Sequence, residues 1–347
     1  MVETITIKDI ARLSGYSVGT VSRVINQKAD VSPETREKVQ KIIEEYGFQP
    51  NTNAKHLKQL STSEICILVA GQGNSFFSDL LQKVVGILSS RGQAATIVYL
   101  EETTNAVETA ARLRMERNPK GFIFLGGALD HFEKGFGRIE VPSVLLSSDA
   151  SGLNIENLSS YTTDDADASA AAVQYLMDHG HTKIGILGGY EGTDDFTNWR
   201  LEGGVRRIRE AGIDFDMETQ YEACDFSLEA GYTAVRRLFE KQPDLTAVFA
   251  LSDIIAMGAF RALADMGKKV PEDVSVIGFD GISTGDYSIP RLTTISQNTD
   301  AMAKLGVENL LLNISYPRPA THEQVPFSLV ERESVAQVRR TEDEIDG

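Results

Sequence analysis

The sequence predicts a small all-helical N-terminal module followed by an α/β core of two doubly wound parallel sheets. In the first sixty residues, apolar side chains recur at helical spacing in three short segments. In the rest, short β-branched runs alternate with amphipathic helical stretches, which is typical of parallel sheets covered by helices. The runs are too numerous for one sheet, so we expect two subdomains. The predicted strands are Ile65–Ala70, Gly121–Leu125, Val141–Leu146, Lys183–Leu187, Leu245–Leu251 and Asp273–Phe279.

The charge of the chain is unevenly distributed along its 347 residues. The net charge is −16, yet residues 1–60 carry +2 and the remainder −18. Because phosphate attraction is screened over roughly 8–10 Å, an acidic core does not exclude a DNA-binding module. No apolar run is long enough for a membrane span, the N-terminus lacks a secretory signal, and only two cysteines occur. We therefore expect a cytoplasmic protein with no membrane partner.

The N-terminal module carries start and stop signals for three helices. Ser17 can cap the second helix, and Ser32–Glu34 combines a capping hydroxyl, a proline and an acid at the start of the third. Ala11 is small where two helices must approach, Gly15 permits a tight turn, and Val21 fills the wedge. This spacing indicates a helix-turn-helix motif, whose second helix enters the major groove of DNA. A generic helical hairpin is the alternative.

Residues 5–60 resemble the DNA-binding region of the lactose-repressor/galactose-repressor (LacI/GalR) family of transcriptional regulators. The segments TVSRVIN and VSPETREKV and the P-N-x-x-A-x-x-L stretch match that region in order and spacing. The remaining chain resembles the family's periplasmic-binding-protein-like effector core in HGHTKIGILGG, FALSDIIAMGAFRAL, VPEDVSVIGFDG and PRLTTISQ. The resemblance implies a repressor that a small sugar effector releases from a pseudo-palindromic operator in double-stranded DNA, acting as a homodimer.

The resemblance also implies the domain boundaries. It divides the chain into a helix-turn-helix headpiece (1–49), a hinge helix and linker (50–63), an effector-binding and dimerisation core (64–340) and a tail (341–347). Within the core, the chain crosses between subdomains three times. The first subdomain is expected to contain residues 64–162 and 293–324, and the second residues 163–292 and 325–340.

The resemblance assigns DNA-facing roles within the predicted second helix. Val18, Gly19 and Arg23 take the base-reading positions, and an arginine suits guanine, although a phosphate contact is the alternative for Arg23. Ser17 and Thr20 are expected to contact phosphates, and Asn26 is expected to form a turn and support the backbone.

The hinge helix is expected to fold on DNA, with a plain linker as the alternative. Ala54 and Leu57 match the positions that enter the minor groove, where a leucine from each subunit kinks the duplex. Lys55 is placed near a phosphate.

A sugar effector offers hydroxyl pairs and one apolar face, so its site needs charged clamps and an aromatic platform. Four residues at predicted strand ends match family ligand positions. Arg200 and Asp280 would clamp hydroxyls, Phe226 would stack, and Asp253 would accept a hydrogen bond. Helix caps or turns are the alternatives for the aspartates, and core packing is the alternative for Phe226.

Four further positions qualify the effector prediction. Phe76 and Phe77 fall where the family's first subdomain faces the ligand, although either could be core. Ser147 replaces an aspartate found in many relatives, which puts one hydroxyl contact in doubt. Asp194 stands where purine-responsive relatives carry arginine, so the residue disfavours a nucleobase.

The alternatives to a sugar-responsive repressor differ in what they bind. A corepressed regulator of the same family would answer to a purine or to a phosphocarrier protein. A solute-binding protein would need the signal peptide that the sequence lacks. We expect no enzyme, cofactor or metal, because the sequence contains no catalytic constellation, no complete dinucleotide fingerprint and no metal-ligand spacing.

Overall fold

The computed structural model separates the chain into two compact units, residues 1–61 and 62–347. The residues that the structure describes are 7–25, 31–46, 64–71, 73–101, 104–191 and 196–338.

The first unit contains a three-helix headpiece: α1 (Ile7–Ser14), α2 (Val18–Ile25) and α3 (Pro33–Glu45). Gly15 turns the chain between α1 and α2 at a φ of 74°, a left-handed conformation that glycine adopts without strain. Ser32 caps α3 by accepting a hydrogen bond from the Thr35 amide at 3.3 Å. Among the described residues of this unit, the buried apolar core consists of Ile10, Ala11, Val21, Val24 and Val39.

The second unit is built on two sheets, and the strands of the first are parallel. In the described ranges this sheet contains β1 (Ile65–Ala70), β2 (Ala95–Leu100), β3 (Gly121–Leu125), β4 (Ser143–Leu146), β5 (Leu158–Thr162) and β11 (His322–Gln324). Their order is β11-β5-β4-β3-β1-β2.

The second sheet is parallel except at one edge. The described strands are β6 (Ile184–Leu187), β7 (Tyr221–Glu222), β8 (Ala247–Ala250), β9 (Ser275–Asp280), β10 (Thr293–Ser296) and β12 (Ser328–Val330). Their order is β12-β10-β9-β8-β6-β7, and β12 runs antiparallel to β10.

Helices cover both sheets, as doubly wound folds require. On the first sheet lie α4 (Ser75–Ser90), α5 (Ala106–Arg117), α6 (Leu129–Gly135) and α12 (Thr299–Ser315). On the second lie α7 (Asp165–Asp178), α8 (Phe196–Glu210), α9 (Met217–Gln220), α10 (Leu228–Lys241) and α11 (Asp253–Asp265). No helix in the described ranges has the length and apolarity needed to cross a membrane. The predicted fold class, a helix-turn-helix headpiece with two parallel α/β subdomains, is confirmed.

The chain crosses between the two subdomains after β5, after β10 and after β11. The pairing of β10 with β9 corrects the boundary predicted between residues 292 and 293, because β10 joins the second sheet before the chain crosses. The second crossing therefore follows Ser296. All three crossings run beside the cleft that separates the sheets, so residues at the carboxyl ends of strands meet there.

Candidate functional site

The headpiece presents the start of α2 to solvent. Ser17, Val18, Gly19 and Arg23 are exposed, and Val18 is 42% exposed although it is apolar. Ser17 also caps α2, because its Oγ accepts a hydrogen bond from the Thr20 amide at 3.1 Å. The predicted base-reading positions therefore lie together on one exposed surface. Four predicted DNA-contacting residues lie outside the described residues: Asn26, Ala54, Lys55 and Leu57.

In the core, a buried guanidinium lies at the cleft between the subdomains. Arg200 on α8 is 2% exposed. Its Nε donates to the Asp165 carboxylate at 2.7 Å, and its Nη1 donates to the Asp280 carboxylate at 3.1 Å. Nη1 also donates to the Leu251 carbonyl at 2.8 Å. We call these groups the Arg200 array, made of Arg200, Asp165 and Asp280.

Two aromatic rings pack against the guanidinium group of Arg200. The Cζ atom of Arg200 lies 3.8 Å from the centroid of the Phe279 ring and 5.0 Å from that of Phe196. Cation–π contact of this kind is strongest in desolvated surroundings. The ring of Phe226 packs edge-on against Phe196, with 5.8 Å between centroids. Phe226 therefore supports the array through Phe196.

Asp280 ends β9 in a conformation that is rare for residues other than glycine, with a φ of 110°. Its carboxylate accepts further hydrogen bonds from Ser252 Oγ at 2.9 Å and from Gln297 Nε2 at 2.8 Å. Burial raises the pKa of Asp280, and the positive charge of Arg200 opposes that rise. Three side-chain hydrogen bonds, of which the one from Arg200 is also an ion pair, thus fix this carboxylate at the end of the strand.

Asp165 follows the first crossing and is fully buried in the first turn of α7. Burial raises its pKa to about 6, and the charge of Arg200 acts in the opposite direction. Two buried carboxylates therefore share one guanidinium, and a buried charge is stable only when it is paired.

Asp253 does not reach the cleft, which corrects its predicted role as a ligand acceptor. It is completely buried, and its carboxylate accepts from Thr294 Oγ1 at 2.6 Å and from the Ile282 amide at 2.8 Å. Burial first, and then the charge of Asp280, raise its pKa to about 8. Asp253 fixes the segment after β9 to β10 and carries a structural role.

A cavity of about 520 Å³ lies against Asp280 at the second crossing. Phe76 and Lys83 from the first subdomain line it, together with Gln297 and Phe327 from the crossing segments. Lys83 donates to Thr299 Oγ1 at 2.6 Å, which fastens α4 to the start of α12 at the rim. The cavity is thus enclosed by both subdomains and by the segments that join them.

The other predicted effector residues lie in different surroundings. Phe77 is buried against Gly126 in the core of the first subdomain, so it does not line this cavity. Ser147 directly follows β4 with a φ of 72° and is buried. Phe226 is absent from the wall of this cavity as the described residues form it. Asp194 lies outside the described residues.

Sequence reasoning missed three residues of the site. Asp165 reads as an ordinary acid in a first helical turn, Ser252 as an N-cap, and Gln297 as a loop residue after a short strand. The signal available for Ser252 was its place two residues after β8, since strand ends in this fold converge on the cleft. Asp165 and Gln297 follow crossings, which the sequence alone does not bring beside Arg200.

A headpiece with an exposed second helix, joined in one chain to a two-sheet core with a polar cleft, defines a DNA-binding transcriptional regulator. Residues 6–51 match the family described as bacterial regulatory proteins, lacI family, and residues 173–335 match a periplasmic binding protein-like domain. The chain is 37% identical over 339 residues to the HTH-type transcriptional regulator MalR of Clostridium butyricum, covering 94% of this chain and 98% of that one. The chain belongs to the lacI family of bacterial regulatory proteins.

Solved structures agree with this assignment. The lac repressor dimer bound to operator and the anti-inducer ONPF is 25% identical, with a TM-score of 0.74 over 96% of this chain and 100% of that one. The transcriptional regulator CelR in complex with cellobiose is 28% identical, with a TM-score of 0.69 over 95% of this chain and 99% of that one.

Proposed function

We propose that the protein is a homodimeric repressor whose cleft binds a sugar and whose operator affinity falls when the sugar is bound. The observation that carries the proposal is the carboxylate of Asp280, which Arg200 holds in place and which lines the cavity between the subdomains. Guanidinium and carboxylate groups pair with vicinal hydroxyls through charge-assisted hydrogen bonds, and Phe76 adds an apolar wall. Among similar proteins, CelR has been solved with cellobiose, a sugar.

In this proposal, effector binding in the cleft of the core is coupled to DNA binding. A sugar that contacts both subdomains favours the closed form of the core. Operator binding requires paired hinges, so a closed form that separates the two hinges loses affinity for DNA. Such a ligand shifts the population only by its preference for the closed form. The protein acts on DNA, and we place it in the cytoplasm.

Binding without catalysis fits the site. Arg200 and Ser252 donate hydrogen bonds to Asp280, and Arg200 forms a buried ion pair with Asp165. We therefore assign both carboxylates a role in recognition. Family members are DNA-binding regulators, and a non-catalytic receptor is the function that we assign to this core.

The test is an operator-release assay with the full-length protein. Operator sequences are first selected from random duplexes, and the selected duplex is then titrated with protein in the presence of single mono- and disaccharides. A sugar at 100 times its dissociation constant adds about 2.7 kcal/mol of stability, so a thermal shift identifies candidates. Release of DNA by a stabilising sugar supports the proposal, whereas tighter operator binding would indicate corepression.

A further inference from the structure

A row of cations lies along one edge of the first sheet, opposite the edge that faces the cleft. The described strands of this sheet are all parallel, so the segments that lead into them meet at this amino edge. These segments are residues 91–94, 117–120, 136–142, 154–157 and 316–321, and Glu64 precedes β1. Together they hold five cations and three carboxylates, on a core that carries a net charge of −18.

Four of the five cations have no partner within the described residues. Arg91 pairs with Glu308 at 3.0 Å. The other four form no ion pair and no side-chain hydrogen bond in the described parts of the chain, and we call them the edge cations: Arg117, Lys120, Arg138 and Arg318. Lys120 is half-buried, and the other three are exposed. Their charges are therefore available to an anionic partner from outside the core.

The amino edge of the second sheet has the opposite charge. The segments that lead into its described parallel strands are residues 179–183, 211–220, 242–246, 266–274 and 287–292, and they hold four cations and six carboxylates. Lys183 on this edge pairs with Asp244. Arg291 pairs with Glu333 at 2.9 Å. A row of unpaired cations is therefore specific to the first sheet and does not follow from the parallel architecture.

Helix dipoles explain only part of this row. A cation in the last turn of a helix is stabilised by the partial negative charge at that end, which applies to Arg117 at the end of α5. The effect is confined to the last turn. Lys120 and Arg318 lie three residues beyond the ends of α5 and α12, so their positions need another reason.

The same edge is where the chain enters the core from the headpiece. Glu64 directly precedes β1, and its carbonyl accepts a hydrogen bond from the Lys120 amide at 3.0 Å. Burial raises the pKa of the neighbouring Cys66 thiol to about 11, and the nearby charge of Arg117 opposes that rise. Residues 46–63 join α3 to this edge, and 18 residues span at most about 60 Å when fully extended. DNA that the headpiece holds is therefore tethered within reach of the edge cations.

We propose that the edge cations form a second DNA-contacting surface, which binds the phosphate backbone of the duplex held by the headpiece. Residues 1–60 carry a net charge of only +2, so further phosphate contacts would add much to the affinity. The row covers three strand spacings, about 14 Å, and a DNA strand presents one phosphate about every 3.4 Å along the axis. Phosphate contacts carry no sequence information, so this surface adds affinity and reads no base. It acts independently of any sugar.

The salt dependence of DNA binding tests this surface. Full-length wild type and the double variant Arg117→Gln/Lys120→Gln are titrated with the selected operator and with a random duplex of equal length at several salt concentrations. Each lost phosphate contact lowers the slope of log affinity against log salt by about 0.9. A dimer loses up to four contacts, so the slope should fall by about 2–4 and the affinity at 0.1 M salt by at least about tenfold, equally on both duplexes. Arg138→Gln/Arg318→Gln should act in the same way.

Two control variants separate phosphate contact from a general change in charge. Lys268→Gln/Lys269→Gln removes the same charge from the amino edge of the second sheet and should leave the slope unchanged. Arg117→Lys/Lys120→Arg keeps both charges and should keep the wild-type slope. An unchanged slope in both edge variants, or an equal decrease in the Lys268/Lys269 control, overturns the proposal. A loss on operator alone also overturns it, because a surface that binds only phosphates weakens both duplexes.

Discussion

Arg200 and Asp165 form an ion pair of 2.7 Å in which the two side chains are only 2% and 3% exposed. The pair joins α8 to the start of α7, and its guanidinium also reaches Asp280 at the end of β9. Three elements of the second subdomain therefore converge on one cation. A group of this kind serves the fold as well as the ligand, because removing one partner leaves the others charged and buried.

Arg200→Ala should destabilise the protein as well as abolish its response to effector. The substitution leaves Asp165 and Asp280 without their cation, and breaking a buried pair in this way costs about 3–5 kcal/mol. The free energy of unfolding, measured by urea titration at pH 7, checks the expected loss.

The matched control is Arg206→Ala on the same helix. Arg206 is 53% exposed and pairs with Asp167 and Glu210 at the surface, where an ion pair is worth little. Its removal should change stability by no more than about 0.5 kcal/mol. Equal losses in the free energy of unfolding would show that the Arg200 array stabilises the protein no more than a surface ion pair does.

Residue patterns predicted the apolar part of the fold and less of its polar interior. Ile65–Ala70 and Gly121–Leu125 have the same bounds in the sequence prediction and in the structure, because both are continuous apolar runs. β5 was missed because it reads Leu-Ser-Ser-Tyr-Thr. Its serines are buried yet paired: Ser159 accepts from the Thr321 amide, and Ser160 accepts from the Ala150 amide. Hydropathy alone does not identify a strand whose buried side chains are satisfied by distant backbone groups.

The sequence also predicted only part of the candidate effector site. Arg200 and Asp280 were predicted as clamp residues at strand ends, and the structure brings them together, although Arg200 lies within α8 and not at a strand end. Asp253 was assigned to the ligand because it also follows a strand, but its carboxylate turns inward to Thr294 on β10. The sequence prediction assigned the residues of β10 to the other subdomain, so it gave no reason to expect a contact between Asp253 and Thr294.

Asp253→Asn should remove a pH dependence of stability. Because burial raises the pKa of Asp253 from 3.8 to about 8, the folded state keeps a proton that the unfolded state loses. Stability from this group is therefore fully present below pH 4 and decreases as the pH rises toward 8. The asparagine cannot ionise, and its amide can still accept from the Ile282 amide and donate to Thr294 Oγ1.

Urea unfolding of wild type and Asp253→Asn at pH 5, 6, 7 and 8 measures the effect. The variant should gain on wild type by about 1 kcal/mol per pH unit across this interval. Comparing the two proteins cancels the opposing contributions of Asp165, whose pKa burial raises, and of His181, whose pKa burial lowers. Parallel pH profiles would mean that Asp253 is ionised in the folded protein.

Arg23→Ala should weaken binding to the selected operator by about 1–3 kcal/mol and relax the base preference at one position. Arg12→Ala removes the same charge from α1, where Arg12 is exposed and pairs with Asp9. Gel-shift titrations of both variants at one salt concentration compare the two losses. If Arg23→Ala and Arg12→Ala reduce the affinity for operator DNA and for random DNA by the same factor, Arg23 contacts phosphate and reads no base.

Two helical glycines should respond to alanine with opposite signs. Gly258 on α11 packs so closely against α10 that a β-carbon would overlap the carbonyl oxygen of Leu228 and lie 2.8 Å from the amide nitrogen of Tyr232. Both obstacles are backbone atoms, so the helices must separate, and overpacking of this kind costs about 1–3 kcal/mol. Gly86 on α4 is exposed, and a β-carbon there meets no atom within 4 Å. Gly86→Ala should therefore gain up to about 1 kcal/mol from helix propensity. Thermal unfolding of both variants tests these predictions. A Gly258→Ala protein that melts at or above the wild-type temperature would mean that α10 and α11 can move apart without a loss of stability.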